Sequence, residues 1–325
     1  MTRLRRTRST DPGIRRRRRG AGFSYTDPDG VVLRGASAEP VLERLHSLAI
    51  PPAWTDVWIA TRPNAHIQAT GVDAAGRRQY LYHRAWRERS DREKFERMLE
   101  LARVLPEVRR GVTRDLRGEG LGRDRVLAGA FRLLDSASLR VGSDRYADEH
   151  GSYGLTTLLC AHASVHDEED VILRFPGKSG QAWRSELSDP DLAALIAALK
   201  RRGPRARLLA WRDADGRVHP LRPEDVNADI RRRTGGDFTA KDFRTLRGTA
   251  VAAASLARAG ARSSASGRRR AITAAMGAVA DALGNTVAVA RASYVDPRIV
   301  DRYERGELVD PSRSIEPQLV QLLME

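Results

Sequence analysis

Five residues of this 325-residue chain, Arg140, Lys178, Arg244, Asn285 and Tyr294, carry side chains suited to a single chemistry. Two guanidiniums, an ammonium, a neutral amide donor and a phenol are the groups needed to attack a phosphodiester without a metal ion. The arginines neutralise charge that builds on a pentacoordinate phosphate, and the amide binds a non-bridging oxygen. The phenol supplies the nucleophile, and the lysine delivers a proton to the departing oxygen. Each residue alone has an ordinary explanation. Arg140, just before Gly142, reads as a charge at a helix C-terminus. Lys178, in Phe175-Pro-Gly-Lys-Ser-Gly180, reads as a solvated turn residue. Asn285 reads as a left-handed residue closing a helix, and Tyr294 as packing on a short apolar helix. Only the combination of settings points to chemistry.

The choice of basic residues sharpens the reading. Four of the 57 are lysines (Lys94, Lys178, Lys200 and Lys241), and the rest are arginines. Arginine holds its proton at any useful pH, whereas lysine can release it. Lys94 and Lys200 fall on amphipathic helical stretches and read as surface residues. Lys178 falls at the tip of a stiff hairpin that can reach into a groove, which suits a general acid. Lys241 and Arg244 lie on adjacent turns of a helix opened by the capping box Thr239-Ala-Lys-Asp242, a natural phosphate site. Arg247, at the same spacing further on, is either a phosphate contact or a surface charge.

The elements that must position these groups follow from periodicity. Phe23–Tyr25, Val31–Leu33, Val57–Ala60, Ala65–Thr70 and Gln79–His83 are β-prone runs separated by turn residues, with a helix over Pro40–Leu48. Helical spacing begins at Trp86–Leu105 and returns in Arg123–Val141. Leu155–Leu159, Ala163–His166, Val171–Phe175 and Ala182–Glu186 read as a small antiparallel sheet. Helices follow over Leu192–Lys200, from Pro223 to Gly235, from the capping box to Gly260, over Ala271–Leu283, and from Thr286 through Tyr294. Ala261–Arg270 reads as a Ser/Arg-rich connection, mobile or touching nucleic acid. The expected fold is α+β. A disordered Arg-rich tail over 1–20 precedes a small β-rich domain over 21–88. A mainly helical catalytic domain with an embedded antiparallel sheet covers 89–325, and the role of 311–325 is left open.

Composition narrows the partner. The formal net charge is +15 and the pI near 10.8, which favours a polyanion, with nucleic acid first. Residues 1–20 hold nine arginines and one aspartate, a block that ordinarily adds sequence-independent phosphate attraction. No apolar run reaches membrane-spanning length, so no membrane partner is expected. The single cysteine, Cys160, excludes an internal disulfide and a thiolate-only metal cage, and fits a cytoplasmic setting. There is no Walker-type loop and no carboxylate cluster of metal-site form. Neither cofactor nor metal is expected.

The order and settings of the five residues resemble the catalytic domain of type IB DNA topoisomerases, specifically the small poxvirus-like and bacterial form, to which tyrosine recombinases are related. The resemblance covers roughly residues 50–310. Its most specific pieces are Lys-Asp-Phe-Arg-Thr at 241–245 and Leu-Gly-Asn-Thr-(x5)-Ala-Ser-Tyr at 283–294. Pro-Pro-Ala-Trp54, Pro-Asn-Ala-His-Ile-Gln68 and Gln-Tyr-Leu-Tyr-His83 resemble the family's β domain, which recombinases lack. The resemblance implies a monomer that closes around duplex DNA in the bacterial nucleoid and relaxes supercoils without ATP or metal. It makes Tyr294 the nucleophile of a 3′-phosphotyrosyl bond, Arg140 and Arg244 the phosphate clamp, and Lys178 the acid to the 5′-oxygen. Asn285 takes a position that is histidine in poxvirus and eukaryotic members; asparagine donates a hydrogen bond there but shuttles no proton. Leu246-Arg247 also departs from many members. In the β domain, Tyr80 and Tyr82 share a strand face beside Arg77, Arg78 and Gln79. They either contact DNA, as the resemblance favours, or pack on their own core. Two other classes compete: a site-specific tyrosine recombinase, which usually has histidine where this chain has Lys241, and a basic DNA-binding protein with no catalysis.

Overall fold

The run Arg15–Arg19 is a strand, not a free tail. In the computed structural model, which describes residues 3–324, it forms β1 (Gly13–Arg19), paired with β2 (Gly22–Thr26) on one side and with β3 (Thr55–Ala60) on the other. Arg16 explains how a charged run enters a sheet. Its side chain turns into the core, where the guanidinium donates to the carbonyls of Ile50, Pro51 and Trp54 at 3.0, 2.9 and 2.8 Å and lies 4.2 Å from the centre of the Phe23 ring. Residues before β1 are ordered too. The Arg5 N–H donates to Asn64 O, its carbonyl accepts from His66 N, and the Trp58 indole donates to Asp11 O at 2.9 Å. The expected disordered tail over 1–20 is therefore overturned for the described residues.

The chain divides into two units, Met1–Glu93 and Lys94–Glu325. In the first, α1 (Glu39–Ser47), β4 (Ile67–Val72) and β5 (Arg78–Tyr82) complete a five-stranded antiparallel sheet of order β2-β1-β3-β4-β5 with its covering helix. Ile14, Tyr25, Leu45, Val57, Ile59 and Ala69 form its core. Val31–Leu33, expected as a strand, makes only an isolated bridge from Val32 to Thr26. The unit boundary falls inside α2 (Arg84–Leu116), a helix longer than its apolar spacing suggested.

In the second unit the helix α3 (Arg123–Ala137) is the central post, and Phe131 meets Phe243 edge-on with ring centroids 5.1 Å apart. There follow α4 (Asp144–His150) and the antiparallel sheet of β6 (Ala163–His166), β7 (Asp170–Pro176) and β8 (Ala182–Ser188). Next come α5 (Pro190–Lys200), the hairpin of β9 (Ala210–Arg212) and β10 (Val218–Pro220), and α6 (Pro223–Thr234). The chain continues through α7 (Ala240–Ala259), α8 (Ala265–Leu283), α9 (Val287–Ser293), α10 (Pro297–Glu304) and α11 (Ile315–Met324). Leu155–Leu159 is not a strand: residues 155–157 form a single 3₁₀ turn. The Ser/Arg connection is shorter than expected, because Ser264 accepts from the Gly267 N–H and opens α8 at Ala265. The fold is α+β, and among the described residues no single helix is long and apolar enough to cross a membrane.

Candidate active site

Three chain segments meet around Tyr294. The first leaves α3, which ends at Ala137, short of the expected end near Val141. Ser138 takes the left-handed conformation (φ 54°), and the chain runs on without regular structure to Arg140. Hydrogen bonds from Leu155 N to Arg140 O and from Thr156 N to Val141 O, both 2.9 Å, pin this strip. A side chain at Gly154 is excluded, since its Cβ would lie 2.6 Å from Gly142 Cα. Arg140 is thus held by a neighbouring loop and is not a helix-terminal charge.

The second segment is the start of α7. Thr239 and Asp242 form the expected capping box, with the Thr239 N–H donating to Asp242 at 2.8 Å. Arg97 Nη2 donates to the same buried carboxylate at 2.7 Å. One turn on, Arg244 is only 2% exposed. Its Nη1 donates to Ser138 O at 2.6 Å and its Nη2 to Leu283 O at 2.8 Å, so it ties the ends of α3 and α8 together.

The third segment is the α8–α9 corner, a 95° bend. Gly284, not Asn285, is the left-handed residue there (φ 55°). Arg140 Nη2 donates to Gly284 O at 3.0 Å and to Asn285 Oδ1 at 2.5 Å. With its oxygen so engaged, the amide leaves Nδ2 as the free donor. Thr286 caps α9 as expected, but that helix ends at Ser293, one residue before Tyr294. The Tyr294 carbonyl accepts from Thr249 Oγ at 3.3 Å, and the same hydroxyl accepts from Asp296 N at 3.2 Å. Gly248 lets this turn approach, for a Cβ there would lie 2.5 Å from Tyr294 O. Sequence reasoning missed Gly248 and Thr249. The available signal was a glycine inside an Ala-rich helix, where it costs about 1 kcal/mol relative to alanine.

The electrostatics are one-sided. The Arg244 guanidinium carbon lies 5.1 Å from the centre of the Tyr294 ring, and neither Arg140 nor Arg244 has a carboxylate partner among the described residues. Burial, then the charge of Arg244, pushes Arg140 down to about 10. Burial also lowers Arg244. For Tyr294, burial raises the phenol, but Arg244, then Arg140 and Lys241, outweigh it, so the phenol lies below its ordinary value. Arg244 Nε and Asn285 Nδ2 are buried with no hydrogen-bond partner. Such donors are costly to bury unless a ligand uses them. Two arginines without counter-ions and two unpaired buried donors together make a receptor for an anion beside a phenol.

The remaining candidates are placed as follows. Lys178 is exposed in the turn between β7 and β8, and has no hydrogen bond to the other four. The root of that hairpin is docked at the site: Trp183 stacks on Phe175, and its ring lies so near Gly284 that a Cβ there would approach within 2.9 Å. Lys241 is exposed on α7. Arg247 lines a separate depression of about 670 Å³ with Arg110 and Ser136 among others, so it is not grouped with Tyr294. On β5, Tyr80 and Tyr82 are 45% and 37% exposed and stack with centroids 6.0 Å apart, so they are not core. Arg77 and Gln79 both donate to Asp73, whose carboxyl the Arg77 backbone and side chain hold at about 2. Arg78 donates to Asp56 at 3.0 Å.

This arrangement defines a helical unit with a half-buried tyrosine beside unpaired cationic donors, preceded by a small β unit. Two protein families match the two parts of the chain: the catalytic core of eukaryotic DNA topoisomerase I over residues 83–306, and the N-terminal domain of bacterial DNA topoisomerase IB over residues 22–73. The first covers more than half of the sequence, and the chain belongs to the type IB DNA topoisomerase family. It is 33% identical over 208 residues to DNA topoisomerase 1B of Acanthamoeba polyphaga mimivirus, covering 63% of this chain and 62% of that protein. It is 31% identical over 172 residues to DNA topoisomerase 1 of Mycosarcoma maydis, covering 48% of this chain but 17% of the fungal protein. The chain therefore spans less than two thirds of these relatives.

Proposed function

We propose that this protein relaxes supercoiled duplex DNA, acting as a monomer, by transient cleavage of one strand. The Tyr294 phenol releases its proton to solvent and its oxygen attacks the scissile phosphorus; a bond forms between them, and the bond to the 5′-oxygen breaks. Arg140 and Arg244 offset the negative charge that builds on the phosphate, and Asn285 Nδ2 donates to a non-bridging oxygen. Lys178 protonates the departing 5′-oxygen once its hairpin bends over the DNA. The product is a 3′-phosphotyrosyl bond and a free 5′-hydroxyl. Rotation about the uncut strand follows, and the hydroxyl then attacks the phosphotyrosine to restore the DNA and the phenol. Each step exchanges one phosphodiester for another, so no ATP is consumed, and Arg140 and Arg244 supply the charge neutralisation a metal ion would otherwise give.

The observation that carries this reading is the pair of unpartnered buried donors, Arg244 Nε and Asn285 Nδ2, next to a phenol lowered by surrounding cations. The match to the bacterial β domain favours it over a recombinase. The test is Tyr294→Phe, which should abolish plasmid relaxation and adduct formation while DNA binding persists. An adduct mapped to Tyr303 or Tyr153 in the wild-type protein removes Tyr294 from the mechanism.

A further inference from the structure

We infer that the outward arginines of β1, Arg17 and Arg19, form a second contact line for duplex DNA on the sheet face that carries Tyr80 and Tyr82; this rests on the DNA-acting function proposed above. Strand residues alternate between faces. Arg16 turns inward and its charge is taken up by three carbonyls, so Arg15, Arg17 and Arg19 share the opposite face. The register carries that face across the sheet: Arg15 pairs with Trp58, Trp58 with Thr70, and Thr70 with Tyr80. Asp56 marks the same face, since Arg15 reaches it at 3.5 Å and Arg78 at 3.0 Å. That carboxylate offsets those two arginines. Arg17 and Arg19 are exposed and have no acidic partner among the described residues. Their neighbours on β2, Ser24 and Gly22, add no negative charge.

The spacing suits a double helix. β1 and β5 are three strands apart, about 14 Å, close to the major groove's width of about 12 Å. A duplex whose groove admits the stacked tyrosines brings a flanking phosphate strand over β1. The strand lies outside both matched regions, so membership of the family does not assign it a role.

Phosphate contacts carry no base information, so their loss weakens binding alike on every duplex. Each contact also contributes to the salt dependence of binding. The experiment measures anisotropy of a labelled duplex from low to moderate salt, in a Tyr294→Phe background that prevents cleavage. Arg17→Ser with Arg19→Ser should make the slope of log K against log salt shallower by about 1.8, two contacts at about 0.9 each. Arg17→Lys with Arg19→Lys should retain the slope, because lysine binds phosphate as a point charge. Should the serine pair lower the melting temperature, glutamine at both positions keeps the aliphatic stems and takes its place. An unchanged slope, or a loss that lysine fails to restore, overturns the inference. The two proposals separate cleanly. A wild-type chain that forms no adduct but shows the slope change loses only the catalytic reading. An adduct with an unchanged slope loses only this one.

Discussion

Arg244 shows how a residue legible as a motif acquires its role from distant chain. Its two terminal nitrogens are spent on Ser138 O and Leu283 O, so the guanidinium is a brace as well as a charge. Arg244→Ala should lower the cleavage rate by about 10²–10³, the usual cost of one preorganised donor. It should also move the pH profile. Arg244 is the first of the cations that lower the Tyr294 phenol against burial. Without it burial dominates, the phenol rises, and the limb over which cleavage quickens with pH shifts to higher pH. A single-turnover pH–rate profile with an unmoved limb would separate Arg244 from the nucleophile. Lys178→Ala should slow cleavage by about 10²–10⁴, the range for a lost general acid. A substrate with a 5′-bridging sulfur, which leaves without a proton, should restore much of that rate; absence of rescue would shift the role to Lys241. The types and order of these residues were legible in the sequence. The bond from Arg140 to Asn285 was not, because it joins positions 145 residues apart and no local pattern encodes it.

At the scale of elements, Tyr294 is held less by its own helix than by α7. The short α9 buries only Ala290, whereas the Tyr294 carbonyl rests on Thr249 and over Gly248. Gly248→Ala tests this directly. By helix propensity alone alanine should stabilise α7 by about 1 kcal/mol, but its Cβ would meet the Tyr294 carbonyl at 2.5 Å. The turn must move, and displacement of a reacting atom by about 1 Å costs about 100-fold in rate. The expected result is a large loss of adduct formation with little change in melting temperature; full activity would mean the tyrosine is positioned from elsewhere. Most helix caps were legible, because Thr239, Thr286 and Gly284 act through bonds within a few residues; the Ser264 cap was not, being hidden in a Ser/Arg-rich stretch. The strip that carries Arg140 was hidden, because backbone hydrogen bonds from Leu155 and Thr156, not a local pattern, hold it.

For the whole molecule, the N-terminal arginine run changes what a truncation means. A disordered arm could be removed with only electrostatic loss, but β1 lies between β2 and β3. A run of five arginines has no alternation of apolar and polar residues, so periodicity could not reveal a strand whose inward position is filled by Arg16. Deleting residues 1–19 removes that strand together with buried Ile14 and the Asp11 carbonyl that receives the Trp58 indole. β2 loses its only strand partner among the described residues, and β3 is left with an open edge. Unpaired edges and exposed apolar side chains follow, and a unit this small has little stability in reserve. The truncated chain should therefore show rapid proteolysis between residues 22 and 83, while the core built on α3 and α7 resists. Protease resistance of that segment equal to the full chain's would mean that β1 is dispensable to the sheet and that its arginines act by charge alone.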